Sequence, residues 1–161
     1  MVFQCPLTYP ASNQETYQSH FNMFPYELSP FQKYAIQGLV SGDHVLVTAH
    51  TGSGKSTPFE FAAEYFFGLG KKIIYCSPIK ALSNQKFYDF TQRYPHISVG
   101  IVTGDIRVNQ EASLLIVTTE ILHNVLFLKK HKSVNGTNCV NSASSLLSFD
   151  MDFDNELGCV V

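Results

Sequence analysis

A short segment early in the chain has the residue types and spacing of a phosphate-binding loop: Ala49-His50-Thr51-Gly52-Ser53-Gly54-Lys55-Ser56-Thr57. Its glycines let the backbone curl so that successive N–H groups point inward at a dense negative charge. Lys55 is placed to reach the β and γ phosphates of a nucleoside triphosphate, and the Ser56 hydroxyl to ligate Mg²⁺. The usual pattern begins with glycine, and here Ala49 takes that position. A glycine-rich turn without a ligand is the competing interpretation.

The neighbouring sequence favours the phosphate-binding interpretation, because such a loop joins a strand to a helix. His44 to Ala49 is short and apolar, which predicts a strand. From Lys55 to Phe67 the apolar residues recur at helical spacing, and Pro58 falls in the first turn, where a missing N–H costs little. The segment therefore reads as strand, loop and helix, with the positive end of the helix facing the phosphates.

The same alternation continues along the chain. The pattern predicts strands at Lys72–Cys76, Ser98–Val102 and Leu114–Val117, and helices at Ile79–Gln92 and Thr118–Leu128. Strands alternating with helices predict an α/β fold, a parallel sheet with helices on both faces. Ligands of such sheets sit at the carboxyl ends of the strands, and the polar motifs described below fall at those ends.

The two ends of the chain are less regular. Residues 1–22 are rich in Gln, Ser, Asn and Tyr, and we expect a flexible leader there. Ser29 is suited to cap a helix that has Pro30 in its first position and runs to about Val40. Residues 23–161 would then form one partial nucleotide-binding domain.

Residues 129–156 interrupt the pattern. Lys-Lys-His-Lys precedes a run rich in Ser, Asn and Gly, which predicts a mobile surface insertion. Asp150, Asp152 and Asp154 resemble the start of a calcium loop, but Asn155 stands where that loop requires glycine. A solvated acidic turn is the preferred interpretation. Gly158–Val161 reads as the start of a further buried strand.

Composition limits the classes of function. With 161 residues, a 45% apolar fraction and a net charge of −2, the chain is suited to one globular domain without a broad basic surface. Four scattered cysteines predict buried free thiols and a reducing, intracellular location. They do not distinguish the nucleus from the cytoplasm. No secretory signal or membrane-spanning stretch is visible, so we expect no membrane partner.

The motifs that flank the phosphate-binding loop carry a family resemblance. They occur in this order: Tyr26 and Phe31-Gln32 upstream, then Ser77-Pro78-Ile79-Lys80-Ala81-Leu82-Ser83-Asn84-Gln85, Thr103-Gly104-Asp105 and Thr118-Thr119-Glu120-Ile121-Leu122. The series resembles the DExH-box RNA helicases of superfamily two, and among them the superkiller and exosome-associated type. The string SPIKALSNQ is the most specific part. The resemblance runs from Pro25 to Leu128 and resumes at Leu157.

The resemblance implies a P-loop NTPase of RecA-like fold that uses ATP and Mg²⁺, with Lys55 as the catalytic cation. Tyr26 matches the aromatic residue that stacks on adenine, and Gln32 the glutamine that reads the adenine edge. A core aromatic and a surface amide are the competing interpretations. The motifs matched to the nucleic-acid backbone contribute Ser77, Pro78, Lys80, Asn84, Gln85, Thr103, Gly104, Asp105, Thr118, Thr119 and Glu120. For the last three, plain helix capping is an alternative that is compatible with that role.

The resemblance predicts the ATP-binding portion of an RNA helicase, the N-terminal part of its first RecA-like domain. Single-stranded RNA is the expected partner, together with a C-terminal helicase domain and an RNA-decay complex. A DNA helicase of the same superfamily and a non-catalytic nucleotide-binding module are the alternatives. The family has Asp-Glu-x-His after a strand like Gly158–Val161, and this sequence ends there. We therefore expect these residues alone to be inactive as an ATPase.

Overall fold

The computed structural model describes residues 4–132 and 157–161. Helices are α1 (Ala11–Phe21), α2 (Pro30–Ser41), α3 (Ser56–Gly68), α4 (Lys80–Arg93) and α5 (Thr119–Lys132). Strands are β1 (Lys72–Ser77), β2 (Val99–Val102), β3 (Arg107–Val108), β4 (Leu114–Thr118) and β5 (Leu157–Val160). The chain divides into two compact units, Met1–Tyr65 and Phe66–Val161, with the boundary inside α3.

The first unit is helical. Its core cluster joins Phe21 of α1, Leu28, Ile36 of α2 and Phe61 of α3, all buried. Helix α2 begins at Pro30, as the sequence predicts, because the missing N–H costs no helical hydrogen bond there. Ser29 is at the predicted N-cap position, but its buried hydroxyl has no hydrogen-bond partner among the described residues. It ends at Gly42, whose φ of 77° is a left-handed conformation that glycine adopts without strain.

Helix α1 departs from the expected flexible leader. Its sequence, ASNQETYQSHF, has almost no apolar periodicity, and its first residue follows Pro10. The aromatic rings at its carboxyl end explain the helix. Phe21 is buried, and the ring of His20 lies edge-on to those of Phe61 and Tyr65 at 5.7 and 5.6 Å between centroids. Packing against α3 therefore stabilises a helix that the weak apolar periodicity of its sequence does not predict.

The second unit is built on a five-stranded sheet in the order β3-β2-β4-β1-β5. All neighbouring pairs are parallel except β2 with β3. Helices lie on both faces, since successive strand residues point to opposite sides: Val125 of α5 packs with Ile74, whereas the ring of Phe90 of α4 contacts that of Tyr75. The predicted α/β class, a parallel sheet with helices on both faces, is confirmed, and the antiparallel edge strand β3 makes the sheet mostly parallel.

The predicted strand at His44–Ala49 is wrong. The segment forms no regular structure, and Leu46 is 88% exposed. A strand needs a neighbour to satisfy its backbone groups, and apolar composition alone does not supply one. The sequence also did not predict β3, a two-residue strand that follows the turn at Gly104 and Asp105.

Helix α5 extends four residues beyond its predicted end, so the first residues of the expected insertion are helical. The rest of that insertion and the acidic turn at Asp150–Asp154 lie outside the described residues. The expectation of buried thiols is wrong for Cys5, which is exposed. Cys76 and Cys159 are partly buried, and burial raises the pKa of both thiols. Within residues 4–132 and 157–161, no helix has the length and apolarity to cross a bilayer.

Candidate functional site

The loop that precedes α3 has the backbone shape that phosphate binding requires. Gly52 and Gly54 have φ angles of 85° and 81°, values that residues with a Cβ rarely adopt. The turn is closed by the hydroxyl of Ser53, which donates to the carbonyl oxygen of His50 at 2.8 Å. Helix α3 begins directly afterwards at Ser56, so its first backbone N–H groups and the positive end of its dipole adjoin the loop.

The ammonium group of Lys55 lies over this loop. Its Nζ donates to the carbonyl oxygens of Ala49 at 2.7 Å and of His50 at 2.6 Å. Both acceptors belong to the loop itself, and the side chain is exposed. The ammonium therefore lies at the loop, and its N–H groups can turn from these carbonyl oxygens to an arriving phosphate. Ser56 and Thr57 follow in the first turn of α3.

Gln32 binds the loop from the first turn of α2. Its Nε2 donates to the carbonyl oxygen of Gly54 at 3.0 Å and to Oγ1 of Thr57 at 3.1 Å, and its Oε1 accepts from the N–H of Ser29 at 2.8 Å. The residue is only 6% exposed. Both amide protons are thus used within the protein, a role that sequence reasoning missed. Recognition of the adenine edge by Gln32 stays a prediction. It requires one N–H of Nε2 to turn from Gly54 or Thr57 to the base.

Tyr26 lies beside the same loop. Its hydroxyl is 3.4 Å from Oγ1 of Thr57, and the ring, 5.6 Å from that of Phe24 between centroids, belongs to a half-exposed side chain. The first unit therefore brings Tyr26, Gln32 and Thr57 together around the loop. Stacking of adenine on Tyr26 stays a prediction, and the accessible ring is compatible with it.

The candidate nucleic-acid contacts in the second unit follow the carboxyl ends of three adjacent strands. Ser77 ends β1, Thr103 follows β2 and Thr118 ends β4; Ser77 and Thr118 are partners in the β1–β4 register. The parallel sheet explains this meeting, because the ends of parallel strands reach the same edge. All three side chains, however, are 2% exposed.

Burial separates these hydroxyls from the more accessible members of the motifs. Oγ1 of Thr103 accepts from the N–H of Ile106 at 3.1 Å, which holds the turn after β2. Oγ1 of Thr118 is buried and has no hydrogen-bond partner among the described residues. A strand passing this edge would meet exposed residues first: Pro78, Lys80, Gln85, Gly104, Asp105, Thr119 and Glu120. Asn84 lies half-buried on α4.

One ion pair joins two of these motifs. Nζ of Lys80, at the start of α4, lies 2.7 Å from Oδ2 of Asp105. The hydrogen bond with Asp105 and the charge of its carboxylate, with a smaller contribution from the carboxylate of Glu120, raise the pKa of Lys80. Sequence reasoning treated the two residues as separate contacts. The placement of both motifs at strand ends was the signal that opposite charges would meet there.

Comparison with known proteins agrees with this geometry. The family model described as DEAD/DEAH box helicase matches residues 29–144. The chain is 47% identical to the antiviral helicase SKI2 of Saccharomyces cerevisiae over 65% of its own length and 8% of that protein. It is 45% identical to the probable helicase HelY of Mycobacterium tuberculosis over 64% of its length and 11% of that protein.

A third relative is the chloroplastic DExH-box ATP-dependent RNA helicase DExH15 of Arabidopsis thaliana, 38% identical over 72% of this chain and 10% of the relative. The chain thus spans about a tenth of the length of the curated relatives it matches. The family model covers well over half of the chain and includes the phosphate-binding loop and the strand-end motifs. With its mostly parallel sheet consistent with a RecA-like domain, the chain belongs to the DEAD/DEAH box helicase family.

Proposed function

We propose that this chain is the ATP-binding portion of an ATP-dependent RNA helicase. The observation that carries the proposal is the loop at Gly52–Lys55, in which two left-handed glycines and the Lys55 ammonium adjoin the start of α3. Helix N-termini of this kind bind phosphate groups through backbone N–H groups and the helix dipole. The family membership supports ATP as the ligand, since three of the curated relatives are named ATP-dependent RNA helicases.

The residues present fit ATP and Mg²⁺. Backbone N–H groups of the loop and the ammonium of Lys55 would hold the phosphates, and the hydroxyl of Ser56 would serve as one magnesium ligand. The exposed ring of Tyr26 would hold the base in place by stacking. When bound, ATP supplies the free energy of hydrolysis, which a helicase uses to move along or remodel a strand. Gln32 would keep the loop in its binding shape through Gly54 and Thr57.

The proposed strand path is the carboxyl edge of β1, β2 and β4. Lys80 and the N–H groups at the start of α4 and α5 are suited to phosphate groups and read no base sequence. RNA is the proposed substrate because three of the curated relatives are named RNA helicases. The proposed partners are a C-terminal helicase domain and, from the resemblance to superkiller-type helicases, an RNA-decay complex.

Strand binding is tested by fluorescence anisotropy with RNA and DNA single strands of the same sequence. Because RNA is the proposed substrate, RNA should bind more tightly than DNA. Binding should be weak and should fall steeply with salt, because phosphate contacts release counterions. Lys80→Ala should weaken binding of every sequence alike. Equal affinity for both strands would contradict the assignment of RNA as the preferred strand, and tighter binding of DNA would favour a DNA helicase. No binding at low salt would contradict the proposed path.

We also propose that these 161 residues bind ATP without turning it over at a helicase's rate. Family catalysis uses an arginine from a second domain, and in related NTPases such an arginine accelerates hydrolysis by roughly 10³–10⁵. Single-turnover hydrolysis with RNA present is the measurement, run beside a longer chain that includes a second RecA-like domain. Comparable rates would show that the catalytic groups already lie within these residues.

A further inference from the structure

The ion pair between Lys80 and Asp105 occupies the edge at which the proposed strand path lies. Its 2.7 Å separation between Nζ and Oδ2 is that of a charge-assisted hydrogen bond. The side chains are 48% and 74% exposed, so both charges are in contact with solvent. The pair connects the first turn of α4 with the turn between β2 and β3.

Two further residues define the surroundings of the ammonium. A Cβ placed on Gly104 would lie 3.3 Å from Nζ of Lys80, so the lysine packs closely over this glycine. Glu120 lies in the first turn of α5, directly after the carboxyl end of β4, and its carboxylate contributes to raising the pKa of Lys80. One ammonium group therefore shares this edge with two carboxylates, and the three side chains carry a net charge of about −1 at neutral pH.

This charge balance conflicts with a simple role for Asp105 as a phosphate contact. An ionised carboxylate only accepts hydrogen bonds, and a phosphate offers no proton in return. The two anions repel each other at short range. Of these three charged side chains, Lys80 is the one that can bind a phosphate, and its ammonium is paired with Asp105.

Exposure decides how firmly the lysine is held. Exposed ion pairs are weak, because solvent screens the charges and ordering two flexible side chains costs entropy. A phosphate in a strand that is anchored by neighbouring contacts arrives at high local concentration. Exchange of the Asp105 carboxylate for a phosphate oxygen therefore needs no rearrangement of the fold, only a rotation of exposed side chains.

We propose that Asp105 competes with a nucleic-acid phosphate for the ammonium of Lys80. This competition lowers the affinity of the edge for a nucleic-acid strand and eases release of the strand. The inference rests on the proposed function, because it assumes that the strand follows the edge with Lys80. Asp105 acts through Lys80 and is a positioning residue. A weak contact that breaks and re-forms readily suits a helicase, because such an enzyme must release and rebind its strand in each cycle.

The proposal predicts tighter binding when the competitor is removed. Asp105→Asn keeps the size of the side chain and removes its charge. We expect affinity for single-stranded RNA to rise about two- to fivefold at low salt, the range that corresponds to loss of an exposed ion pair. The slope of log affinity against log salt should steepen by up to about 0.7, the value for one additional phosphate neutralised on a single strand.

The chain offers a matched control at the opposite edge of the sheet. Glu111 pairs with Lys72, at the start of β1, with 3.2 Å between Nζ and Oε2, and its side chain is 73% exposed. Glu111→Gln changes the net charge by the same amount as Asp105→Asn and also breaks one ion pair, in which the lysine is 22% exposed. It should raise RNA affinity by less than Asp105→Asn does at every salt concentration, because Glu111 does not pair with Lys80 and the effect of its more distant charge is screened as salt rises.

The decisive measurement is a double-mutant cycle with Lys80→Ala, by anisotropy at several salt concentrations, with thermal melting of each variant as a check on folding. The proposal predicts that Asp105→Asn strengthens binding only where Lys80 is present. An equal gain in the Lys80→Ala background, or weaker binding by Asp105→Asn, would overturn it. If Lys80→Ala itself leaves RNA affinity unchanged, the proposed path and this inference both fail. If Lys80→Ala weakens RNA binding but Asp105→Asn does not strengthen it, the inference fails and the proposed strand path stands.

Discussion

The side-chain amide of Gln32 donates a 3.0 Å hydrogen bond to the carbonyl oxygen of Gly54, and so joins the first turn of α2 to the phosphate-binding loop. The amide packs tightly against Gly54: a Cβ placed on Gly54 would lie 2.6 Å from Nε2 of Gln32. Gly54 is therefore constrained twice, by its φ of 81° and by the amide packed against it.

Replacing Gln32 with glutamate tests this support. A carboxylate cannot donate to Gly54 or Thr57, and it would place a negative charge against a carbonyl oxygen in a buried site. We expect the free energy of unfolding to fall by about 1–3 kcal/mol, because the substitution removes both hydrogen bonds that this 6% exposed side chain donates and leaves a carboxylate in its buried position. ATP affinity should fall as well. Urea denaturation and nucleotide titration measure the two effects.

Gln37→Glu on the same helix is the matched control. Oε1 of Gln37 accepts from the hydroxyl of Tyr9 at 2.9 Å and from Nδ2 of Asn13 at 3.3 Å, and a glutamate keeps that acceptor. This variant should bind ATP as the unaltered chain does. If it loses as much ATP affinity as Gln32→Glu, the loss comes from added negative charge in general and not from the Gly54 contact.

Tyr26 provides a test of base recognition. Tyr26→Ala removes the exposed ring and should weaken ATP more than inorganic triphosphate, because only the nucleotide offers a base for stacking. Tyr26→Phe keeps the ring and loses only the hydroxyl that lies 3.4 Å from Thr57, so its preference for ATP should persist. Isothermal titration with both ligands separates the cases. Equal losses for ATP and triphosphate in Tyr26→Ala would show that the ring is structural.

Gly100 in β2 is a test of the sheet that positions the strand-end motifs. A Cβ at this position would collide with the backbone oxygen of Asn109, whose positive φ of 49° marks the tight turn before β4. Gly100→Ala should destabilise the chain by about 1–3 kcal/mol through overpacking. Gly68→Ala at the end of α3, where a Cβ would meet nothing within 4 Å, should be neutral or slightly stabilising in the same urea experiment.

Much of the second unit could be predicted from the sequence. The buried strands β1 and β4 are continuous apolar runs, and the helices that follow them begin within two residues of the predicted positions. Local signals failed where tertiary contacts decide the outcome. Helix α1 has little apolar periodicity and depends on Phe21 and His20 packing against α3, whereas the apolar segment at His44–Ala49 forms no regular structure.

The candidate site shows the same division. The types and spacing of Gly52, Gly54 and Lys55 predict the loop, because its chemistry depends on local backbone shape. The hydrogen bonds of Gln32 to the loop and the pairing of Lys80 with Asp105 join residues 22 and 25 positions apart. No local pattern specifies such contacts. They follow from how α2 and the loop, or adjacent strand ends, meet in the fold.

Nucleotide binding through Lys55 is the most direct test of the account. Lys55→Ala removes the ammonium placed over the loop, and charge-assisted hydrogen bonds of this kind contribute about 1.5–3 kcal/mol, roughly a tenfold to hundredfold change in affinity. Lys71→Ala, which removes an exposed lysine from the turn after α3, is the control. Titration of a fluorescent ATP analogue should show that large loss for Lys55→Ala and unchanged affinity for Lys71→Ala. Equal affinity of the Lys55→Ala and unaltered chains would contradict the assignment of this loop as the ATP site.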